Sequence, residues 1–190
     1  VYGMELIGLL FSERGEVYFS FEYKNKSQLN AISDVVSIDH KTNAELAFAY
    51  ANKKEFIKFL DEIPKSQLTI RLKVTSIGTW SAEERWREFD SSLFLDDGVK
   101  PIQNLISESR LIVHSYDSTG ILETLSQNIP TLAFWQNNLE HVRESAKPYY
   151  QLLIDAGIIH LSPSSAGEKI NEIWDDVESW WTLPDVRSAR

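Results

Sequence analysis

The segment KPIQNLISESRLIVHSYDSTGILETLSQNIPTLAFW, residues 100–135, decides the fold class of this chain. Two apolar runs within it, 110–115 and 131–135, have the length and the near-continuous hydrophobicity of strands that are buried on both faces. Each run follows a helical pattern, at 101–109 and at 119–128. Helices that alternate with such strands predict β–α–β units and a parallel sheet.

The alternation continues on both sides of this segment. Towards the C terminus the pattern predicts a helix over 142–156 that Pro148 breaks or kinks, a strand at 157–161, and a last amphipathic helix. Towards the N terminus it predicts helices at 44–60 and 81–89, and strands at 4–11, 16–23, 35–38, 67–74 and 92–98.

We therefore predict one α/β domain over residues 1–190, in which 1–65 are harder to assign than the rest. The predicted architecture is a doubly wound, mainly parallel, Rossmann-like sheet with helices on both faces. Because the chain begins with Val rather than Met, we also expect a further N-terminal domain before it.

Composition narrows the class of function. The 190 residues are 43% hydrophobic, which is enough for a sizeable core. A net charge of −9 argues against nucleic-acid binding, because a phosphate backbone is held by clustered cations. The absence of cysteine excludes disulfides and thiolate metal sites. No stretch approaches the roughly 20 apolar residues of a membrane-spanning helix, and no signal peptide is recognisable at the start.

The polar stretch between the strand at 110–115 and the following helix is the first candidate site. In doubly wound sheets ligands bind beyond the carboxyl ends of strands, and a helix N terminus favours an anion. Hydroxyls and a glycine at this point suit a phosphate, and Glu123, one turn further on, suits the hydroxyls of a ribose. The structural alternative is that the same residues simply cap the helix. The hydroxyl and glycine positions are Ser115, Ser118, Thr119 and Gly120.

The run DSTGILETLSQNIPTLAFW (117–135) resembles the donor-binding segment of GT-B glycosyltransferases. More closely, the stretches 100–135, 143–181 and 71–86 resemble a family of bacterial transferases of surface-carbohydrate biosynthesis. The likeness covers about the last 120 residues and extends, more distantly, to capsule-polysaccharide and glycerophosphate transferases. It implies a GT-B-type lobe that binds a nucleotide-diphosphate sugar.

The resemblance also implies roles for individual positions. Ser118, Thr119 and Gly120 match the loop that holds the donor diphosphate, and Glu123 matches the carboxylate on the ribose. The loop expected beside the nucleobase comprises Asp97, Gly98 and Val99, and the cation expected near phosphate at a strand end is Arg71. The segment after that arginine, VTSIGTW (74–80), departs from the family pattern because it has no acidic residue.

Four further positions are candidates for the chemistry. His114 is a potential acid–base group at a strand end, and Asp117 is either its neighbour in catalysis or the organiser of the turn. Arg143 is placed to reach a phosphate or a sugar, unless it forms a surface ion pair within its own helix. Trp135, at a strand end, either lines a sugar or base pocket or is buried.

The remaining histidines and tryptophans favour structural roles. His160 is predicted to be a satisfied core residue, and His40 and His141 have no partner at metal-ligand spacing, so no metal site and no obligatory cofactor are predicted. The tryptophans near the C terminus either pack in the core or dock against a second domain; they are Trp174, Trp180 and Trp181.

The sequence thus predicts the donor-binding lobe of a glycosyltransferase of surface polysaccharide or glycolipid biosynthesis. The alternatives are a glycerol- or ribitol-phosphate transferase and a non-catalytic nucleotide- or sugar-binding module. The expected partners are a nucleotide-diphosphate sugar, an acceptor glycan or glycolipid, and an N-terminal lobe or partner chain that supplies the general base. We expect a cytoplasmic location, with peripheral association at the inner face of the membrane as an open alternative.

Overall fold

The structure is a computed structural model that describes residues 5–12, 17–22, 40–72, 82–99, 101–136 and 138–190. Its strands are β1 (Glu5–Ser12), β2 (Val17–Glu22), β3 (Thr69–Arg71), β4 (Phe94–Asp96), β5 (Ser109–His114), β6 (Thr131–Phe134) and β7 (Ile159–His160). The strand predicted at 35–38 and the loop 74–80 lie outside the described residues.

The described helices follow β2 along the chain and lie between and after the later strands. They are α1 (His40–Lys58), α2 (Glu62–Ser66), α3 (Ala82–Phe89), α4 (Ile102–Glu108), α5 (Thr119–Ser126), α6 (Lys147–Asp155), α7 (Pro163–Ile173), α8 (Val177–Trp181) and α9 (Pro184–Ala189), with a 3₁₀ turn at Trp174–Asp176. None of the helices described is long and apolar enough to cross a membrane.

The strands form one sheet in the order β4-β3-β1-β5-β6-β7, with β2 paired to β1. The pairs β3–β4, β5–β6 and β6–β7 are parallel, and helices flank the sheet, so the predicted α/β class and Rossmann-like arrangement are confirmed. Strand β1 differs from a fully parallel sheet, because it runs antiparallel to β2, β3 and β5.

The antiparallel β1 leaves the other strands pointing in one direction. Both β3 and β5 oppose β1, so they are parallel to each other, and β4, β6 and β7 follow them. From β1 the chain progresses outwards through β3 and β4 on one side and through β5, β6 and β7 on the other. The order therefore reverses between β3 and β5, and the edge beyond their carboxyl ends is where ligands bind in such sheets.

The core lies between the sheet and the helices on it. Strands β5 and β6 are buried at 111–114 and 131–134, and the ring of Phe56 from α1 stacks on that of Phe134 at 4.8 Å between centroids. Helix α7 crosses the end of α1 closely: a Cβ on Gly167 would lie 2.7 Å from the Cβ of Phe59. Asn171 fixes this crossing, since its amide donates to the Phe59 carbonyl and accepts from the Asp61 N–H.

Two helix predictions are wrong in their boundaries. The helix expected from 142 begins at Lys147, and Pro148 lies in its first turn, where a proline N–H is not needed. The single last helix is three short helices, because Trp174–Asp176 is a 3₁₀ turn and Pro184 starts a new helix.

The apolar stripe predicted for that last helix is nevertheless core. Trp174, Trp180 and Trp181 are all buried, which confirms core packing over docking for these side chains. The indole N–H of Trp181 donates to the Asn128 carbonyl, and so attaches the C-terminal helices to the loop before β6.

Candidate functional site

The carboxyl edge of the sheet brings the predicted site segments to one side of the molecule. Arg71 and Asp96 are level at the ends of β3 and β4, and His114 is level with Ala133 in the neighbouring β6. With about 4.8 Å between adjacent strands, the end of β4 lies roughly 15 Å from the end of β5. An extended ligand of nucleotide-sugar size would span that distance.

The β5–α5 loop, residues 115–118, delivers the chain to the N terminus of α5. Ser118 occupies the N-cap position with extended backbone (φ −124°, ψ 159°), but its hydroxyl makes no capping hydrogen bond. That hydroxyl is buried and has no hydrogen-bond partner among the described residues, as is also the case for Oγ of Ser115. A serine hydroxyl at an N-cap normally accepts from a helix N–H, so this hydroxyl lacks the hydrogen bond that its position usually provides.

His114 completes this group of buried polar atoms. Its ring is 1% exposed, and its Nε2 lies 3.3 Å from Oγ1 of Thr124. The Thr124 hydroxyl is within 3.0 Å of the Gly120 and Ile121 carbonyls, so it donates to them and accepts from Nε2–H. The other ring nitrogen, Nδ1, is then an acceptor, and it is buried without a partner.

Burial also sets the charge of this histidine. Desolvation lowers the pKa of His114 to about 3, so the ring is neutral at physiological pH. A neutral ring with Nδ1 as an acceptor suits hydrogen bonding to a ligand better than donating a proton to one. The acid–base role predicted for His114 stays a prediction, and its environment weighs against it.

Gly120 keeps the space between these atoms open. A Cβ at this position would lie 3.0 Å from Cε1 and 3.5 Å from Nδ1 of His114, and 3.3 Å from Oγ of Ser118. Thr119 at the start of α5 and Glu123 one turn further on are, by contrast, exposed. The helix thus presents buried polar atoms on one side and a hydroxyl with a carboxylate on the other.

The Arg71 side chain contacts the loop after β4. Its guanidinium contacts the Asp96 carboxylate at 3.2 Å through Nη1 and donates to the Gly98 carbonyl at 2.8 Å through Nη2. The turn at 97–99 is closed by Asp96 and Asp97 carboxylates that accept from the N–H groups of Gly98 and Val99, and Gly98 has the positive φ of 76° that favours glycine. The predicted phosphate contact of Arg71 stays a prediction; the structure gives this side chain a role in shaping the predicted nucleobase loop.

Asp117 joins three parts of the chain. Its Oδ2 lies 2.8 Å from Nε2 of His141, and its Oδ1 accepts from the Tyr150 hydroxyl at 2.9 Å. Burial, then the bond to this carboxylate, raises the pKa of the Tyr150 hydroxyl, which remains a donor. The Trp135 ring meets both the His141 and the Tyr150 ring edge-on. Asp117 therefore ties the β5–α5 loop to the segment after β6 and to α6 through long-range contacts.

Arg143 lies two residues beyond His141 in this tied segment. Its side chain is exposed, whereas the neighbouring Lys147 pairs with Glu144 at 2.5 Å. No hydrogen bond or ion pair within the described residues engages the Arg143 guanidinium. Of the two predicted cations, Arg143 is therefore the one whose charge is available at the surface.

Other features have structural explanations. His160 is satisfied by contacts with Ser165 and the Gly157 carbonyl, as predicted. Within the described residues, no cluster of three or more metal-ligating side chains occurs. A surface depression between Arg110, Pro130 and Glu178 lies at the amino end of β5, at the opposite edge from the β5–α5 loop.

The β5–α5 loop was predicted as a candidate site, but the residues that contact it were not predicted. His141 was treated as isolated and Tyr150 was not selected, because both meet Asp117 across 24 and 33 positions of sequence. The prediction of an Asx turn rested on local chemistry, whereas the structure directs this carboxylate to residues on other segments.

Fold and site together define an α/β protein whose polar groups converge at the carboxyl edge of its sheet, beside the point where the strand order reverses. The chain belongs to the LIC12162 family of transferases, whose family model matches residues 29–190. Its general function is therefore that of a transferase. Neither a curated protein nor a solved structure matches the chain.

Proposed function

We propose that this chain binds a nucleotide-diphosphate sugar at the β5–α5 loop and acts in sugar transfer to a surface polysaccharide or glycolipid. The observation that carries the proposal is the group of buried, unpartnered polar atoms at the start of α5: Oγ of Ser115, Oγ of Ser118 and Nδ1 of His114. A buried polar atom without a partner costs about 1–3 kcal/mol. A ligand whose phosphate oxygens accept from the two serine hydroxyls, and whose sugar hydroxyl donates to Nδ1, offsets that cost.

The polarity of the site favours an anion. The first N–H groups of α5 have no partner within the helix, and the helix dipole adds partial positive charge at the same point. The hydroxyl of Ser118 adds a further donor. A diphosphate accepts from all of these groups, and Glu123, which is exposed one turn along α5, suits the ribose hydroxyls of the same ligand.

These groups also account for a role in transfer. When a sugar leaves a nucleotide, the departing diphosphate gains negative charge, and fixed N–H donors that already point at it stabilise that charge. Arg143 adds a cation from the segment that Asp117 ties to the loop. This proposal needs no metal ion to stabilise the leaving group.

Isothermal titration calorimetry with UDP, GDP, CDP and CMP tests the proposal. We expect one diphosphate to bind the wild type and to bind at least tenfold more weakly to Thr119→Ala and Glu123→Ala. Glu108→Ala is the matched control, because Glu108 is an exposed glutamate at the end of α4, near the opposite edge of the sheet. It should bind like the wild type.

The outcomes separate the candidate functions. Preference for CDP would favour a glycerol- or ribitol-phosphate donor, and tight binding without turnover of any donor would favour a binding module. The absence of binding by a folded protein to all four nucleotides would refute donor binding. Binding that survives both α5 variants unchanged would refute the site.

A further inference from the structure

Beside the β5–α5 loop, Asp117 and His141 form a second group of titratable side chains in contact. The Asp117 side chain is 16% exposed, and each of its oxygens has a partner at hydrogen-bond distance. The His141 side chain is 46% exposed, so one side of the ring is fixed by the carboxylate while the ring still reaches solvent. A partly buried carboxylate behind an accessible imidazole is an arrangement that orients a histidine for proton transfer.

The carboxylate also selects the tautomer of the ring. An ionised carboxylate only accepts hydrogen bonds, so Nε2 of His141, at 2.8 Å from Oδ2 of Asp117, carries the hydrogen. In the neutral ring Nδ1 is then the basic nitrogen. The Tyr150 hydroxyl donates to the second carboxylate oxygen at 2.9 Å, and the Trp135 and His141 rings meet edge-on with 5.9 Å between their centroids, so both partners are held in place.

The pair lies beside the proposed donor site. Asp117 directly precedes Ser118, the N-cap residue of α5, and His141 is one hydrogen bond away from it. Asp117 and His141 contact each other, and the Tyr150 hydroxyl contacts Asp117. Glu140 and Arg143 are the charged groups on the same segment as His141. No other histidine at this edge combines exposure with a carboxylate partner in the part of the chain that the structure describes.

We propose that His141, oriented by Asp117, is the general base that activates the acceptor hydroxyl, in place of the base that the sequence led us to expect on an N-terminal lobe or partner chain. The inference rests on the proposed donor site. In the transfer step Nδ1 of His141 takes the hydroxyl proton and the acceptor oxygen forms a bond to the anomeric carbon. The bond from that carbon to the diphosphate oxygen breaks, and its electron pair leaves with the diphosphate. His141 is the catalytic residue of this step and Asp117 is a positioning residue.

The test measures nucleoside diphosphate release from the nucleotide sugar whose nucleotide binds in the calorimetric panel, in the full chain, against pH. His141→Gln should lower kcat by about 10²–10⁴-fold and abolish the rise of rate with pH that deprotonation of a base produces. Nucleotide affinity should stay within about twofold of wild type, because the change removes proton transfer and not donor contacts. Asp117→Asn should lower kcat at unchanged affinity and alter the pH profile.

Tyr150→Phe is the matched variant, because it removes the other hydrogen bond to the same carboxylate. If the cluster only holds the loop in place, Tyr150→Phe and His141→Gln will change rate and melting temperature alike, and both will keep the wild-type pH profile. That result would overturn the proposal. So would a wild type that binds nucleotide but turns over no nucleotide sugar, which would leave donor binding intact. A folded wild type that binds no nucleotide would overturn the proposed function first, and this inference with it.

Discussion

Alanine substitution of the two N-cap serines Ser118 and Ser162 should have opposite effects on stability. Ser162 begins α7 and its Oγ accepts from the Ser165 N–H at 3.2 Å, whereas the hydroxyl of Ser118 at the start of α5 makes no such bond and is buried without a partner. Both have extended backbone and each is followed by a helix of eight residues or more. Alanine at the two positions therefore compares a serine that caps with one that does not.

The magnitudes follow from these contacts. Ser162→Ala loses a cap, which costs about 1 kcal/mol. Ser118→Ala loses no hydrogen bond and removes a buried hydroxyl whose unpaired state costs about 1–3 kcal/mol. Set against a cost of about 1 kcal/mol for alanine at an N-cap, the expected change for Ser118→Ala lies between zero and about 2 kcal/mol of added stability. The same change should weaken binding of the nucleotide by about tenfold or more, since a hydrogen bond to a charged group contributes about 1.5–3 kcal/mol.

Urea unfolding without ligand measures the change in stability of Ser118→Ala and Ser162→Ala against the wild type. The three proteins can be compared if their unfolding free energies depend on urea concentration with the same slope. Calorimetry with the nucleoside diphosphate measures the change in nucleotide binding on the same samples. A loss of about 1 kcal/mol in Ser118→Ala, equal to that in Ser162→Ala, would show that Ser118 is an ordinary cap. Together with unchanged binding, that result would refute the reasoning about the β5–α5 loop.

Three further predictions concern packing and charge. Gly167→Ala should destabilise the chain by about 2 kcal/mol in urea unfolding, because a methyl group would crowd the Phe59 Cβ and the Phe56 carbonyl. This cost exceeds the gain of about 1 kcal/mol in helix propensity. A stabilised variant would contradict the close crossing of α1 and α7. The pKa of His114 is about 3 in the folded chain, below its unfolded value, so the stability that its neutral form contributes is complete above about pH 6.5. That stability is lost as pH falls towards 3, by up to about 1.4 kcal/mol per pH unit. His114→Asn should make the fall less steep, and equal slopes for the two proteins would contradict the burial of His114. Arg71→Met should destabilise the chain by about 3 kcal/mol, because it removes the guanidinium that contacts the mostly buried Asp96 carboxylate and donates to the Gly98 carbonyl. A loss below about 1 kcal/mol in urea unfolding would show that the pair is solvated.

Periodicity and strand length were sufficient to predict the sheet core. The segment 100–135 was predicted as helix, strand, helix and strand, and the structure has α4, β5, α5 and β6 there. These elements are predictable because their apolar residues are local and nearly continuous, so the pattern itself reports burial on both faces. The antiparallel direction of β1 was not predictable, because strand direction depends on which neighbours a strand meets in the folded sheet.

The helix boundaries failed where local signals compete with tertiary packing. The last helix was predicted from its amphipathic pattern, and its apolar residues Ile170, Ile173 and Val177 are buried, yet the helix is interrupted by the 3₁₀ turn at Trp174–Asp176. The carboxylate of Asp176 caps the next helix by accepting from the Ser179 N–H at 2.9 Å. A hydrophobic stripe predicts which residues are buried but does not show whether the backbone between them is continuous.

The candidate site was also predictable only in part. The β5–α5 loop was predictable because hydroxyls and a glycine between a buried strand and a helix form a local signal. The contacts of Asp117 with His141 and Tyr150 were not, because no sequence spacing joins a loop after β5 to a segment after β6 and to α6. Such contacts depend on the adjacency of β5 and β6 in the sheet.

Backbone amide NMR tests whether a nucleoside diphosphate binds at the N terminus of α5, in a titration with the diphosphate that binds in calorimetry. We expect the amide signals of Thr119 and Gly120 to shift most, with saturation at the calorimetric affinity. Shifts confined to the opposite edge of the sheet, around Arg110 and Glu178, would contradict binding at the N terminus of α5, as would a titration that leaves the Thr119 and Gly120 amides unchanged.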